Sequence, residues 1–205
     1  EQSFSLDEEQ SSTSIVCRPS QPLEKGRYHE TFEAVIHNLK TTTRLNRLFI
    51  GTGKTSEEKQ QLRQEYFAGL GNSHLSRGPP ELAKINFLVG EPPENPLIEG
   101  DNQLFFVSSI ENSGKGELLS VQNVQFDFRN DLQVSPGSSD CLSPPGELKE
   151  GRKEHLLPLH ICQVSMVNSQ LQNPEHFIPR EYEATLWYTY NLTLELPIEV
   201  VVIQS

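Results

Sequence analysis

The chain has 205 residues, with 28 acidic against 17 basic side chains and a formal charge of −11. That balance argues against a nucleic-acid binder that works by neutralising phosphates, and no apolar run approaches the roughly 18 residues of a membrane-spanning helix. The aliphatic and aromatic content is too high for a disordered chain, which leaves an acidic, soluble protein of one or two domains.

The chain starts at Glu1 rather than Met, with no basic or apolar leader, so it reads as a processed secreted chain or as a fragment cut from something longer. Residues 1–14 are polar and acidic, with Phe4 and Leu6 as their only large apolar groups, and read as a flexible arm. Residues 15–80 read as a β-rich segment. Thr31 to Asn38 alternates, with Phe32, Ala34 and Ile36 on one face, and Leu45 to Ile50 is a second strand. A helix follows over Ser56 to Phe67. Ser56 is its expected N-cap, with Glu57 and Glu58 in the first turn, and Gly69 and Gly71 end it. A linker then runs to Pro80.

Residues 81–205 carry short strands separated by Gly, Pro and Asn turns. The strands are Ile85 to Val89, Leu104 to Ile110, Val121 to Phe128 and Leu156 to Cys162. The clearest alternation runs from Ala184 to Leu196 and is read as one long bent strand, or as two strands meeting near Asn191. Pro197 interrupts it, and Ile198 to Ile203 forms a last strand, with Pro197 expected at a strand start or an edge. The predicted fold is mainly β: an antiparallel β-sandwich with an N-terminal β-rich extension and one short helix.

No motif declares a chemistry. Gly51-Thr52-Gly53-Lys54-Thr55 before a helix suggests a phosphate loop, but the position where the pattern needs its first Gly is Leu48, inside an apolar strand. A Gly-rich turn is the better reading. His155 and His160 are five positions apart on an expected strand and so face opposite sides; His29 and His37 share a face but stand far apart. Glu99-Gly100-Asp101-Asn102 offers weak oxygen ligands for Ca2+, though acidic turns are usually only solvated. No other cofactor is indicated, and no nucleophile–base set has local support.

Cys17, Cys141 and Cys162 have no zinc spacing. A disulfide between Cys141 and Cys162 would close a loop of about twenty residues; the competing reading is three free, partly buried thiols. Asn191-Leu192-Thr193 is a glycosylation sequon on the polar face of its strand.

The order Gly78-Pro79-Pro80-Glu81-Leu82-Ala83, then LFFVSSIENSGKGEL, LSVQNVQFDFRNDLQV and LKEGRKEHLLPLHIC, then YEATLWYTYNLTLELPIEVVVI, resembles a known type. It is similar to the immunoglobulin-like CARDB-type modules of archaeal and bacterial cell-surface and S-layer-like proteins. In those an Asn-x-Gly-x-Gly turn follows the first long strand. The resemblance covers Gly78 to Ser205. The His-rich return strand, the N-terminal strands and the helix depart from it. It implies extracellular placement, no catalytic residues, and a stalk, adhesive or assembly role.

The expected function is therefore a non-enzymatic extracellular structural protein, a surface-layer, filament or adhesion module. It would associate with copies of itself or with neighbouring surface proteins through strand edges. The arm would be the donor, through Phe4, Leu6, Ile15 and Val16, against the alternative that it folds onto its own domain. Two rivals remain: an intracellular peptide-binding adaptor sandwich, and a carbohydrate-binding module using Trp187 with Tyr182 or Tyr28 as an aromatic platform.

Overall fold

The computed structural model describes residues 24–67, 82–90, 97–99, 104–135 and 160–200. Their elements are β1 (Gly26–Ile50), α1 (Ser56–Phe67), β2 (Ala83–Val89), β3 (Leu97–Glu99), β4 (Leu104–Asn112), β5 (Glu117–Asp127), β6 (Leu132–Val134), β7 (His160–Met166), α2 (Ser169–Gln172) and β8 (Ile178–Val200). They build two four-stranded sheets, A in the order β3-β1-β8-β5 and B in the order β2-β4-β7-β6. The protein is mainly β and a β-sandwich, as the alternating pattern predicts.

The chain divides into two compact units, Glu33–Thr193 and Glu1–Phe32 with Leu194–Ser205. The first holds the sandwich. Every second residue of β2 and β4 is buried, as are Tyr182, Ala184, Leu186, Tyr188 and Tyr190 of β8. Aromatic rings join the sheets: Phe126 of sheet A lies edge-on to Phe87 and Phe106 of sheet B, at centroid separations of 5.9 and 4.7 Å. Phe128 stacks on Phe126 at 6.0 Å, so the two share the face that the alternation assigns them.

In the second unit the described residues are the first of β1 and the last of β8. An exposed ion pair, Arg27 to Glu199 at 3.7 Å, links them. Pro197 lies within β8 rather than between two strands, and is exposed.

Two strands were expected over 31–50 where the structure has one. The reason is a change of phase. His37 faces Thr189, whereas Thr42 faces Thr185. Five steps on β1 thus match four on β8, which places one extra residue in β1. Asn38, with φ 58°, takes the positive dihedral that such a bulge needs and that Asn tolerates. These contacts advance along β1 while retreating along β8, so the pair is antiparallel.

Nor does the sandwich begin at residue 81. β1 is an inner strand of sheet A, paired with β8 across 143 positions at Thr42 and Thr185. No local pattern announces a pairing of that span. The return strand starts at His160; residues 156–159 lie outside the described part.

Helix α1 is capped by Thr55, not Ser56. The Thr55 hydroxyl accepts from Glu58 N–H at 3.2 Å, and the Glu58 carboxylate accepts from Thr55 N–H at 2.8 Å. This is a capping box. The helix lays Leu62 and Tyr66 over Leu48 and Ile50, and Lys59 pairs with Glu99 of β3. The backbone hydrogen bond from Thr55 holds the Glu58 carboxyl below its ordinary value. Its contribution is therefore present above the unfolded value of about 4.3 and is lost as pH falls through the lower folded value. Thr55→Ala should lower Tm by about 2–4 °C at neutral pH. Circular dichroism melts of both chains should lose stability as Glu58 protonates, and the difference between them should persist at acid pH, because the bond the variant lacks, from Glu58 N–H to the Thr55 hydroxyl, does not titrate.

Candidate interaction site on sheet B

On the outer face of sheet B, Leu88 of β2 stands opposite Val107 of β4, which stands opposite Ile161 of β7. Phe105 lies beside this row. Phe105 is 42% and Ile161 61% exposed. Beside the row is a cavity of about 360 Å³ lined by Lys84, Asn86, Leu88, Val107, Ser109 and Glu111. Its polar end is organised by Glu111, whose carboxylate accepts from Asn86 Nδ2 at 2.8 Å and faces Lys84 Nζ at 3.1 Å. Burial alone would raise the Glu111 carboxyl, but these partners hold it below its ordinary value. The site therefore offers an apolar floor and a neutral, fixed polar rim.

Among the described residues, β2 is an end strand of sheet B. Gly90 N–H donates to Phe105 O at 2.9 Å and Ser113 N–H to Leu82 O at 3.0 Å. With the unbroken register between them, residues 82, 84, 86, 88 and 90 carry the bonds to β4. The N–H and C=O of Ile85 and Val89 thus point to the far side of β2. There the Tyr188 hydroxyl accepts from Ala83 N–H at 3.3 Å.

The other end strands differ. β3 and β6 have three residues each. β5 is long, but its register with β8 shifts twice, between Leu118 and Ser120 and between Val121 and Asn123. Such bulges blunt an edge.

The residues singled out in the sequence are scattered. Cys162 is buried in β7 and is disulfide-bonded; Cys141 and Cys17 lie outside the described residues, so the pairing lies outside them too. Asn191 is half-buried in β8, paired with Glu117, and its Oδ1 is shielded from solvent. Phe4, Leu6, Ile15 and Val16 lie outside the described residues, as do His155 and Gly100 to Asn102. Glu99, the remaining oxygen ligand of the expected Ca2+ turn, is held by Lys59. Among the described residues no three His, Cys, Asp or Glu side chains gather to hold a metal.

The Gly51 to Thr55 stretch is a turn between β1 and α1, with Gly53 at φ 99°. Tyr182 is fully buried and cannot form a sugar platform, while Lys40 lies over the Trp187 ring at 5.8 Å. Tyr182 belongs with Tyr188 and Tyr190 to the buried row of β8.

The outer-face row was missed, yet one signal was present. Phe105 and Phe106 are adjacent, and on a strand adjacent side chains point to opposite faces. One of the two had to point outward, and Phe105 does. Comparison with protein-family models, with curated proteins and with solved structures finds no match.

Proposed function

We propose that this chain is a non-enzymatic extracellular structural module, of the surface-layer, filament or adhesion kind, which assembles through its β-strand edges. The observation that carries the reading is the length of β1 and β8. β1 meets β3 only at Leu48 to Ile50, and β8 meets β5 only from Glu183 to Asn191. Among the described residues, each strand therefore has a long stretch with a neighbour on one side alone. In the unit formed by the start of β1 and the end of β8, Leu194 is 55% and Leu196 40% exposed. Two strands cannot bury an apolar face by themselves, so a partner strand or face would stabilise them. The disulfide at Cys162 supports an oxidising compartment, as does the resemblance to surface-protein modules.

The expected result is concentration-dependent assembly of the full chain in light scattering behind size exclusion. Assembly should strengthen with salt, which screens the repulsion between chains of charge −11. Leu194→Lys with Leu196→Lys should weaken it about tenfold or more. A wild-type chain that stays monomeric at every concentration would sink the reading.

The cavity on sheet B favours a second reading, a peptide-binding sandwich. An extended segment beside β2 would gain main-chain bonds from the edge and side-chain specificity from the cavity.

A further inference from the structure

We infer that Asn191 carries an N-linked oligosaccharide, and that its first sugar lies over Val35 and Leu119 on the outer face of sheet A. This rests on the extracellular placement proposed above, not on association through edges. Asn191-Leu192-Thr193 is the one Asn-x-Ser/Thr sequence among the 205 residues, so such a modification has a single acceptor.

The strand orients the acceptor. Leu192 packs against the core, so its neighbours Asn191 and Thr193 point to the opposite face. That is the outer face of sheet A, away from buried Tyr188 and Tyr190. Thr193 is exposed, which leaves the hydroxyl of the sequon open. Asn191 is half-buried, and the shielded atom of its amide is Oδ1. With the oxygen turned in, Nδ2 is the outward atom, and Nδ2 is the atom that takes the sugar.

The surroundings supply a second, independent sign. Two antiparallel steps from His37 and Thr189 bring Val35 beside Asn191 on one flank. On the other flank Glu117 stands opposite Asn191, and Leu119 is the extra residue of the register shift that follows. Leu118 is buried, so Leu119 points outward. Val35 is 49% and Leu119 39% exposed. Two exposed apolar side chains thus bracket the acceptor. Toward Thr185 the neighbours on this face are His37, Thr189, Gln122 and Asn123, all polar, and Trp187, which lies beneath Lys40. A pyranose ring has C–H groups on its faces and hydroxyls at its rim. Laid over Val35 and Leu119, it takes apolar area out of water while its hydroxyls stay solvated. A bulky hydrated group here also keeps this face from stacking on another copy and leaves the strand edges free.

The transfer needs an oligosaccharide activated as a diphosphate, and a transferase of the secretory compartment. Nδ2 bonds to the anomeric carbon and the C–O bond to the diphosphate breaks. The diphosphate leaves with the electron pair, and the amide gives up one proton. The step precedes the pairing of β8 with β5, because the rung at Glu117 afterwards holds the Asn191 backbone.

The test is intact-mass spectrometry of the full chain from the cells that make it, before and after peptide-N-glycosidase. The expected spectrum shows one glycan, which the enzyme removes while converting the Asn191 amide to a carboxylate. Asn191→Gln and Thr193→Ala should each give the mass of the bare polypeptide. A bare wild-type chain overturns the inference. Sending the same chain through a eukaryotic secretory route then tells which step failed. If it is modified there, the acceptor is sound and the extracellular placement is wrong; if it is bare there too, the acceptor is wrong and the placement stands.

Thermal melts test where the sugar lies. The glycosylated chain should melt about 2–4 °C above Thr193→Ala. In chains that also carry Val35→Ser and Leu119→Ser, both at exposed positions, the gap should shrink to about 1 °C or less. An unchanged gap overturns the position over Val35 and Leu119.

Discussion

Replacing Gly116 by alanine is expected to destabilise the sandwich by about 3 kcal/mol, which for a chain of this size lowers Tm by roughly 6–12 °C. A Cβ at this position would overlap the Asn191 carbonyl oxygen and stand 2.6 Å from Tyr190 Cε1. The carbonyl belongs to β8, where Asn191 pairs with Glu117. It cannot retreat without opening the first rung of the β5–β8 ladder. Around the same point a closed set of hydrogen bonds ties the turn to β8. Gly116 N–H donates to the Tyr190 hydroxyl at 3.0 Å. That hydroxyl donates to Asn112 Oδ1 at 2.8 Å, and Asn112 Nδ2 donates to Gly116 O at 3.0 Å. Burial raises the Tyr190 hydroxyl above its ordinary value, so it remains a donor. Tyr190→Phe removes the hydroxyl without a clash and should cost about 1–2 kcal/mol, because it strands a buried donor and acceptor. Urea denaturation of the two variants separates the steric part from the polar part. A Gly116→Ala chain as stable as wild type would show that the turn yields freely.

This turn shows what the sequence could convey. The Asn112-Ser113-Gly114-Lys115-Gly116 motif and the Tyr-rich strand were both visible, and the structure gives the reason they occur together: the tyrosine needs the space that glycine leaves. The alternations over β2, β4, β5 and β8 were legible because each strand buries one face, and burial writes itself into period two. The place of β1 in sheet A was not legible, since the bulge at Asn38 breaks its phase and its partner is remote in sequence. β3 and β6, at three residues each, are too short to carry a period. The sheet B surface fared worst. Leu88, Val107 and Ile161 are ordinary apolar residues of strands, and only register between three strands brings them into one row. The Phe105-Phe106 doublet marks that an apolar group must point outward, but not what it will stand beside. The −11 charge first served only to exclude partners; it also makes a neutral, partly apolar face on such a molecule a distinctive feature.

A second large effect is expected at Asp131. Asp131→Ala should destabilise the protein by about 3 kcal/mol, at the lower end for breaking a buried charged pair. Asp131 is 2% exposed. It follows a tight turn in which Arg129 and Asn130 both have positive φ and Asp131 N–H donates to Phe128 O at 2.8 Å. The turn carries the chain from β5 of sheet A to β6 of sheet B and drives the carboxylate inward. There it accepts from Arg180 Nε at 2.9 Å, from Asn168 Nδ2 at 2.7 Å and from the Tyr182 hydroxyl at 3.4 Å. Asn168 is the N-cap of α2, so one carboxylate joins the β5–β6 turn, α2 and β8. Burial first, and Asp131 second, push the Tyr182 hydroxyl well above its ordinary range, so it stays a donor. The alanine variant leaves three donors facing a void. Asp131→Asn does not repair this, because its amide turns two hydrogens toward groups that are themselves donors. Arg180→Leu should cost less, about 1–2 kcal/mol, because Asp131 keeps its other two partners and the lost guanidinium was already 28% exposed. The double variant Asp131→Ala with Arg180→Leu should lose less than the sum of the two, since each single change already breaks the same contact. Strict additivity in urea denaturation would show that Arg180 and Asp131 are not energetically coupled, and that the carboxylate is held by Asn168 and Tyr182 instead.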